Sequence, residues 1–302
     1  MEIGNQERKF AMKRRYVAFI LSLLLMFSTA LSGCEGGFTL PSETTIPFSL
    51  SEVPAFTDDP YVEVNGNLPY FTTEDLTTES FEYYTPLDEL GRCGMAYACI
   101  GLDLMPTGER GAIGMIKPTG WHTVRYDDLV DGKYLYNRCH LIGYQLSGEN
   151  ANRQNLITGT RYLNIDGMLP FENDIDDYVE DTGNHVLYRV TPIFERDNLL
   201  ATGVLMEGYS VEDGGAGICF NVFAYNAQPG IELDYATGES RIEGSDQVQA
   251  EVEEIFYIGN RNSKKFHLPT CPNLPPERNQ VLLETWDDAM ERGYSPCGNC
   301  DP

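Results

Sequence analysis

Four side chains near the C-terminus constrain this 302-residue chain more than any other feature: His267 and Cys271, then Cys297 and Cys300. His-x3-Cys followed by Cys-x2-Cys offers one nitrogen and three sulfurs, a closed tetrahedral set suited to structural zinc. The segment that carries them, residues 251–302, is too short to bury much core, so a staple is expected. A Cys297–Cys300 or Cys271–Cys297 disulfide is the alternative staple in an oxidising compartment.

The other end of the chain bears on that compartment. Lys13-Arg14-Arg15 precedes an apolar run from Tyr16 to Leu31, short for a membrane span and right for the apolar core of a signal peptide. The run ends at Leu31-Ser32-Gly33-Cys34, which resembles the bacterial lipobox, whose cysteine is acylated and becomes the first mature residue. We therefore expect a lipoprotein signal over 1–34, with Cys34 lipidated and the mature protein membrane-anchored or secreted. Residues 35–55, rich in Ser, Thr, Pro and Gly without periodicity, read as a flexible tether.

The chain has 46 acidic and 21 basic side chains, a formal net charge of −25. That balance argues against binding nucleic acid through bulk electrostatics, which scales with the phosphates neutralised by Lys and Arg. The acidity is uneven, however. Residues 35–100 carry 12 acids and one base, and 166–250 carry 17 acids and three bases, whereas 101–165 carry seven bases and six acids. An arginine-bearing window sits inside an acidic envelope.

That window contains Tyr136-Asn137-Arg138-Cys139-His140-Leu141-Ile142, then Gly148-Glu149-Asn150, Asn155-Leu156-Ile157-Thr158-Gly159-Thr160-Arg161 and Asn164. Together these resemble the DNA/RNA non-specific endonucleases with a ββα-metal (His-Me finger) site, and most closely the secreted DNA-uptake nucleases, over residues 56–240. The family signature is Asp-Arg-Gly-His, then an Asn-Leu step and a metal-binding asparagine. Here the tetrad reads Asn-Arg-Cys-His, so arginine and histidine match while aspartate and glycine do not.

The resemblance implies roles. Phosphodiester hydrolysis needs a deprotonated water and charge stabilisation on the phosphoryl oxygens and leaving alkoxide. His140 is the implied general base. A hard divalent ion, Mg2+ or Mn2+, is implied at Asn164, with Asn155 as competitor. Glu172, eight residues after Asn164, matches the glutamate that orients metal-bound water; one more acid on a solvated helix face is its plain alternative. Arg138, Arg110 and Arg161 are implied phosphate contacts, with surface ion pairs as the alternative for the last two. Cys139 cannot pair with His140 as a nucleophile, since neighbours on a strand face opposite sides. It reads as core, with a disulfide to Cys93, Cys99 or Cys219 left open.

Around this motif the residues predict an α+β fold. Pro170, the spacing of Met168, Phe171, Ile175 and Tyr178, and Gly183 predict a helix. His185–Phe194, Leu199–Tyr209 and Ile218–Tyr225 predict consecutive antiparallel strands behind the catalytic ββα element. The domain so defined spans 56–245. The C-terminal segment, with Phe256-Tyr257-Ile258-Gly259-Asn260 and Ser263-Lys264-Lys265-Phe266-His267, resembles the small Ada-type zinc-binding module and is expected to be independent of catalysis.

The expected whole is an extracellular Mg2+-dependent endonuclease acting on DNA, with RNA as an open second substrate, that contacts backbone rather than bases. Two other classes stay open at this level: a non-catalytic surface protein that captures DNA on the same fold, and a zinc-stapled adhesion module. No protein partner is identifiable.

Overall fold

The computed structural model describes residues 47–302 apart from 109 and 284, so the signal, Cys34 and the first part of the tether lie outside the described residues. The larger part of the chain runs through β1 (Tyr61–Glu63), β2 (Phe81–Tyr84), β3 (Ala96–Ile100), β4 (Tyr136–His140), the short α1 (Tyr144–Ser147) and β5 (Leu156–Thr160). A π-helical turn, Leu163–Met168, leads into α2 (Leu169–Thr182). Then follow β6 (Val186–Ile193), β7 (Gly203–Ser210), β8 (Cys219–Tyr225) and a hairpin of β9 (Ile231–Leu233) and β10 (Ser240–Ile242).

Six strands form one antiparallel sheet in the order β1-β8-β7-β6-β3-β2. Its three longest strands are the expected ones; β6 and β8 begin one residue later than expected, and β7 begins at Gly203 and runs one residue further, to Ser210. Their near-continuous apolar sequence has a physical reason, because both faces are covered. On one face Tyr188, Val190, Val204, Met206 and Val222 pack with Leu141, Ile157, Ile175 and Val179, from the catalytic element. On the other, Phe48, Leu50, Val53 and Phe56 pack against Phe223 and Tyr225. The tether expected over 35–55 therefore stops short of that range: Phe48 stacks on Phe223 with ring centroids 5.7 Å apart, apolar area that a free linker would leave in water.

The ββα element consists of β4 and β5, paired antiparallel with His140 opposite Leu156, and α2. Pro170 opens α2 and Gly183, at φ 69°, closes it. Its inward face carries Glu172, Ile175 and Val179. Cys139 points into the core as expected, so close to Gly159 that a Cβ there would collide with its sulfur. The disulfide left open by the sequence does not form. Cys93, Cys99, Cys139 and Cys219 are free, the Cys93 thiol donating to the Arg153 and Leu156 carbonyls and Cys99 to that of Thr77.

Asn226, just past β8, fastens β5 to the sheet. Its Oδ1 accepts from Thr160 N at 2.8 Å, and its Nδ2 donates to the carbonyls of Thr158 (3.1 Å) and Ala201 (3.0 Å).

The C-terminal segment has its own sheet, β13-β11-β12-β14, from β11 (Tyr257–Asn260), β12 (Lys265–His267), β13 (Gln280–Leu283) and β14 (Ser295–Pro296), with α3 (Trp286–Glu291) beside it. Its core is small, chiefly Tyr257, Phe266, Leu283 and Tyr294. The parallel pairing of β12 with β14 matches Phe266 to Pro296, which brings His267 beside Cys297. Far from hanging on a linker, the segment is docked. Val252 N donates to Thr123 O at 2.8 Å, Glu254 pairs with Arg138, and a Cβ on Gly132 would stand 3.0 Å from Trp286.

Replacing Asn226 with alanine strands three buried backbone groups and is expected to cost about 2–4 kcal/mol of stability. Urea unfolding of parent and variant measures this. A loss under about 0.5 kcal/mol would mean that β5 is held to the sheet by packing alone.

Candidate active site and metal site

His140 ends β4. Because side chains alternate along the strand, His140 and Arg138 lie on the side opposite Cys139. The imidazole is only 7% exposed, and its Nε2 lies 2.8 Å from the main-chain carbonyl of Asn150. A carbonyl only accepts, so Nε2 carries the proton and Nδ1 presents its lone pair. Nδ1 faces the Arg110 guanidinium at 3.3 Å. Burial first, and Arg110 second, push the imidazole pKa down to about 3, so this histidine is neutral and able to take up a proton.

His140 lines a cleft of about 500 Å³ together with Arg110, Asn164 and Glu172. Asn164 sits in the π-helical turn that leads into α2. Its amide makes no hydrogen bond among the described residues and is half-buried at the cleft wall. Glu172 is buried on the first turn of α2, and one carboxylate oxygen accepts from Gly143 N at 2.9 Å. Gly143 has to be glycine, since a Cβ would stand 2.9 Å from the other oxygen. Burial raises the Glu172 pKa to about 7, against the opposing pull of that hydrogen bond and of Arg110.

His140, Arg110, Asn164 and Glu172 are thus brought to one cleft. Three other candidates are not free for the roles expected of them. Asn155 is fully enclosed, its amide bonded both ways to the backbone of Ile142 at 2.9 Å, so it cannot compete as a metal ligand. Arg138 lines the cleft but does not offer its fork to it. Nε donates to Ile116 O (2.6 Å), Nη2 to Gly114 O (2.8 Å) and to Glu254 (2.7 Å), and the guanidinium lies 4.1 Å over Trp121. It holds the loop after Arg110 in place instead of meeting phosphate. Arg161 lies in an adjoining recess, 3.7 Å from Asp131. Asn137, where the family signature has aspartate, is buried with neither amide atom hydrogen-bonded.

Several participants carry no sequence signal. The Asn150 carbonyl belongs to the backbone, and Gly143 is recognisable only once Glu172 is seen against it. Arg261, Lys264 and Arg292, from the C-terminal segment, also line the cleft.

That segment gathers its own ligands. One atom from each of His267, Cys271, Cys297 and Cys300 falls within 4.8 Å of the others, and Cys271 Sγ is 3.4 Å from His267 Nδ1. A tetrahedron with bonds of about 2.0–2.3 Å has edges of about 3.3–3.8 Å; the His267–Cys271 separation is such an edge, and the nitrogen and three sulfurs are the donor set that suits zinc. The three thiols are free, which disposes of the disulfide alternative.

Comparison with known proteins agrees with this geometry. The family model for DNA/RNA non-specific endonucleases matches residues 72–212, and that for the metal-binding domain of Ada matches 243–302. The chain carries a DNA/RNA non-specific endonuclease domain. It is an enzyme of that class, followed by an Ada-type metal-binding module. Among solved structures, NucA from Streptococcus agalactiae with magnesium bound is 26% identical, with a TM-score of 0.55 over 64% of this chain and 91% of NucA. The Sda1 nuclease with bound zinc shares the fold at 22% identity, with a TM-score of 0.50 over 62% of this chain and 97% of Sda1. No described helix of the endonuclease or its module is long and apolar enough to cross a membrane.

The raised Glu172 pKa sets a pH dependence. The folded state holds that proton up to about pH 7, while an unfolded glutamate releases it near 4.5. Between those values the folded state binds more protons, so this group's contribution to stability falls as pH rises. In Mg2+-free buffer, Glu172→Gln is expected to gain stability relative to the parent as pH goes from 4.5 to 7. A difference that is flat across that window, measured by thermal unfolding, would show that the carboxyl is not held protonated.

Proposed function

We propose that this endonuclease is extracellular and Mg2+-dependent, and that it cuts DNA, and RNA as a second substrate, with little base preference. The observation that carries this reading is the fixed tautomer of His140. With Nε2 committed to the Asn150 carbonyl, Nδ1 is the basic nitrogen left to the imidazole, and His140 lines the cleft together with Asn164 and Glu172.

In this reading Nδ1 takes the proton of the attacking water. Arg110, now 3.3 Å from Nδ1, is placed to turn its guanidinium onto a phosphate oxygen as substrate arrives. That transfer removes the cation that depresses the imidazole pKa and puts an anion in its place, so His140 becomes a stronger base once substrate is bound. The donors left facing the cleft, the Asn164 amide and the Glu172 carboxylate, are hard oxygens and fit Mg2+ or Mn2+ better than zinc. Bound there by Asn164, such an ion supplies charge stabilisation on the phosphoryl and leaving oxygens. Glu172, held against Gly143, orients water beside it. The C-terminal quartet holds zinc. Outside the described residues, the leader and Cys34 place the enzyme on the outer surface by a lipid anchor, or release it as a secreted form.

His140→Ala is expected to lower plasmid cleavage about 10²- to 10⁴-fold with an unchanged melting profile, the usual cost of losing a general base. Activity within a few-fold of the parent would end the assignment, and a parent that binds but never cuts DNA would favour a capture protein on the same fold. Asn164→Ala is expected to raise the Mg2+ concentration giving half-maximal rate. An unchanged titration would place the ion elsewhere.

A further inference from the structure

The charge of this chain conflicts with its substrate. Acids outnumber bases 46 to 21, yet among the described residues lining the catalytic cleft Glu172 is the one acid against five cations. Arg110 and Arg138 come from the endonuclease domain, whereas Arg261, Lys264 and Arg292 come from the metal-binding module. Three of the five are engaged: Arg110 by His140 at 3.3 Å, Arg138 by the contacts described above, and Arg292 by Asp288 at 3.2 Å. Arg261 and Lys264 are exposed and form no ion pair with a described residue.

We propose that the metal-binding module is the second wall of the cleft, and that Arg261 and Lys264 hold backbone phosphates of nucleic acid flanking the scissile one. This rests on the nuclease reading and adds to it a binding site in a domain otherwise explained as a structural cap. Both residues belong to the turn between β11 and β12, and that turn is stiff. Asn260 Oδ1 accepts from Asn262 N at 3.0 Å, Lys264 sits at φ 51°, and its carbonyl accepts from Ser295 N at 2.8 Å. The Lys264 ammonium lies 4.5 Å over the ring of Tyr294, itself buried in the module core. Side chains ordered in advance lose less entropy on binding. The same β12–β14 register that matches Lys265 to Ser295 brings His267 beside Cys297, so the metal that closes the quartet also fixes the turn. The module is therefore not independent of the reaction: loss of zinc is expected to weaken substrate binding while His140 and Asn164 remain in place.

The test compares the zinc-loaded protein with its Arg261→Ala/Lys264→Ala variant, in duplex-DNA binding across a salt series and in plasmid cleavage. Two lost phosphate contacts are expected to reduce the slope of log K against log salt by about 1.8, since each phosphate contributes about 0.9. KM should rise about tenfold or more while kcat stays within a few-fold, because neither residue touches the reacting atoms. The pair Arg261→Lys/Lys264→Arg should keep the parent slope, and Arg278→Ala, a cation of the same module off the cleft, should change nothing. Zinc content of each variant reports folding of the module. A zinc-loaded double alanine variant with the parent's affinity and slope overturns the proposal. Because binding is read separately from cleavage, a parent that binds through these residues but does not cut would count against the nuclease reading and not against the wall.

Discussion

A guanidinium buried in the middle of β4 needs partners for its charge and its donors, and the way Arg138 finds them organises its surroundings. Its donors reach the Gly114 and Ile116 carbonyls, its charge meets Glu254, and its plane rests on Trp121. A buried cation left unpaired costs several kcal/mol, so pieces of chain distant in sequence are obliged to converge on one side chain. One is the loop that presents Arg110 to His140, and another is the entry to the metal-binding module. Catalytic geometry and module docking therefore share a fastening.

Much of this was legible from residues, and the legible parts have local causes. The strands β6, β7 and β8 declare themselves because apolar runs end at Asp197-Asn198 and Gly214-Gly215, and α2 because Pro170 and Gly183 bracket it. The metal quartet is readable because ligand chemistry depends on spacing within short loops. The Arg138 reading went astray for the complementary reason. The motif announces an arginine, but whether its fork meets phosphate or carbonyl depends on residues 22 and 24 positions away. The same holds for Asn155, an amide whose surroundings decide between ligand and clamp. The docking of the module was illegible because it is built from single long-range contacts, such as Val252 to Thr123, that leave no pattern along the chain.

The electrostatics follow a similar division. Net charge describes the surface as a whole, and here it repels a polyanion. Fields inside a cleft with low-dielectric walls are set by the few charges that line it. In this cleft those charges are mostly cationic and come from two separate stretches of sequence, so a window-by-window count along the chain finds only the first.

Six of the seven described cysteines fall into two chemical populations. Burial raises the thiol of Cys93 to about 11 and that of Cys99 to about 12, and it raises Cys139 as well. Oxidants attack the thiolate, so these sulfurs are inert at neutral pH even where the surroundings are oxidising. Cys271, Cys297 and Cys300 are clustered within reach of one another and are shielded by coordination and not by burial alone. Among these six thiols, oxidative damage should therefore begin at Cys297, which hydrogen bonds from the Asn299 and Cys300 backbone hold below the usual thiol value, in molecules that have lost the ion, and it should reach the packed core last.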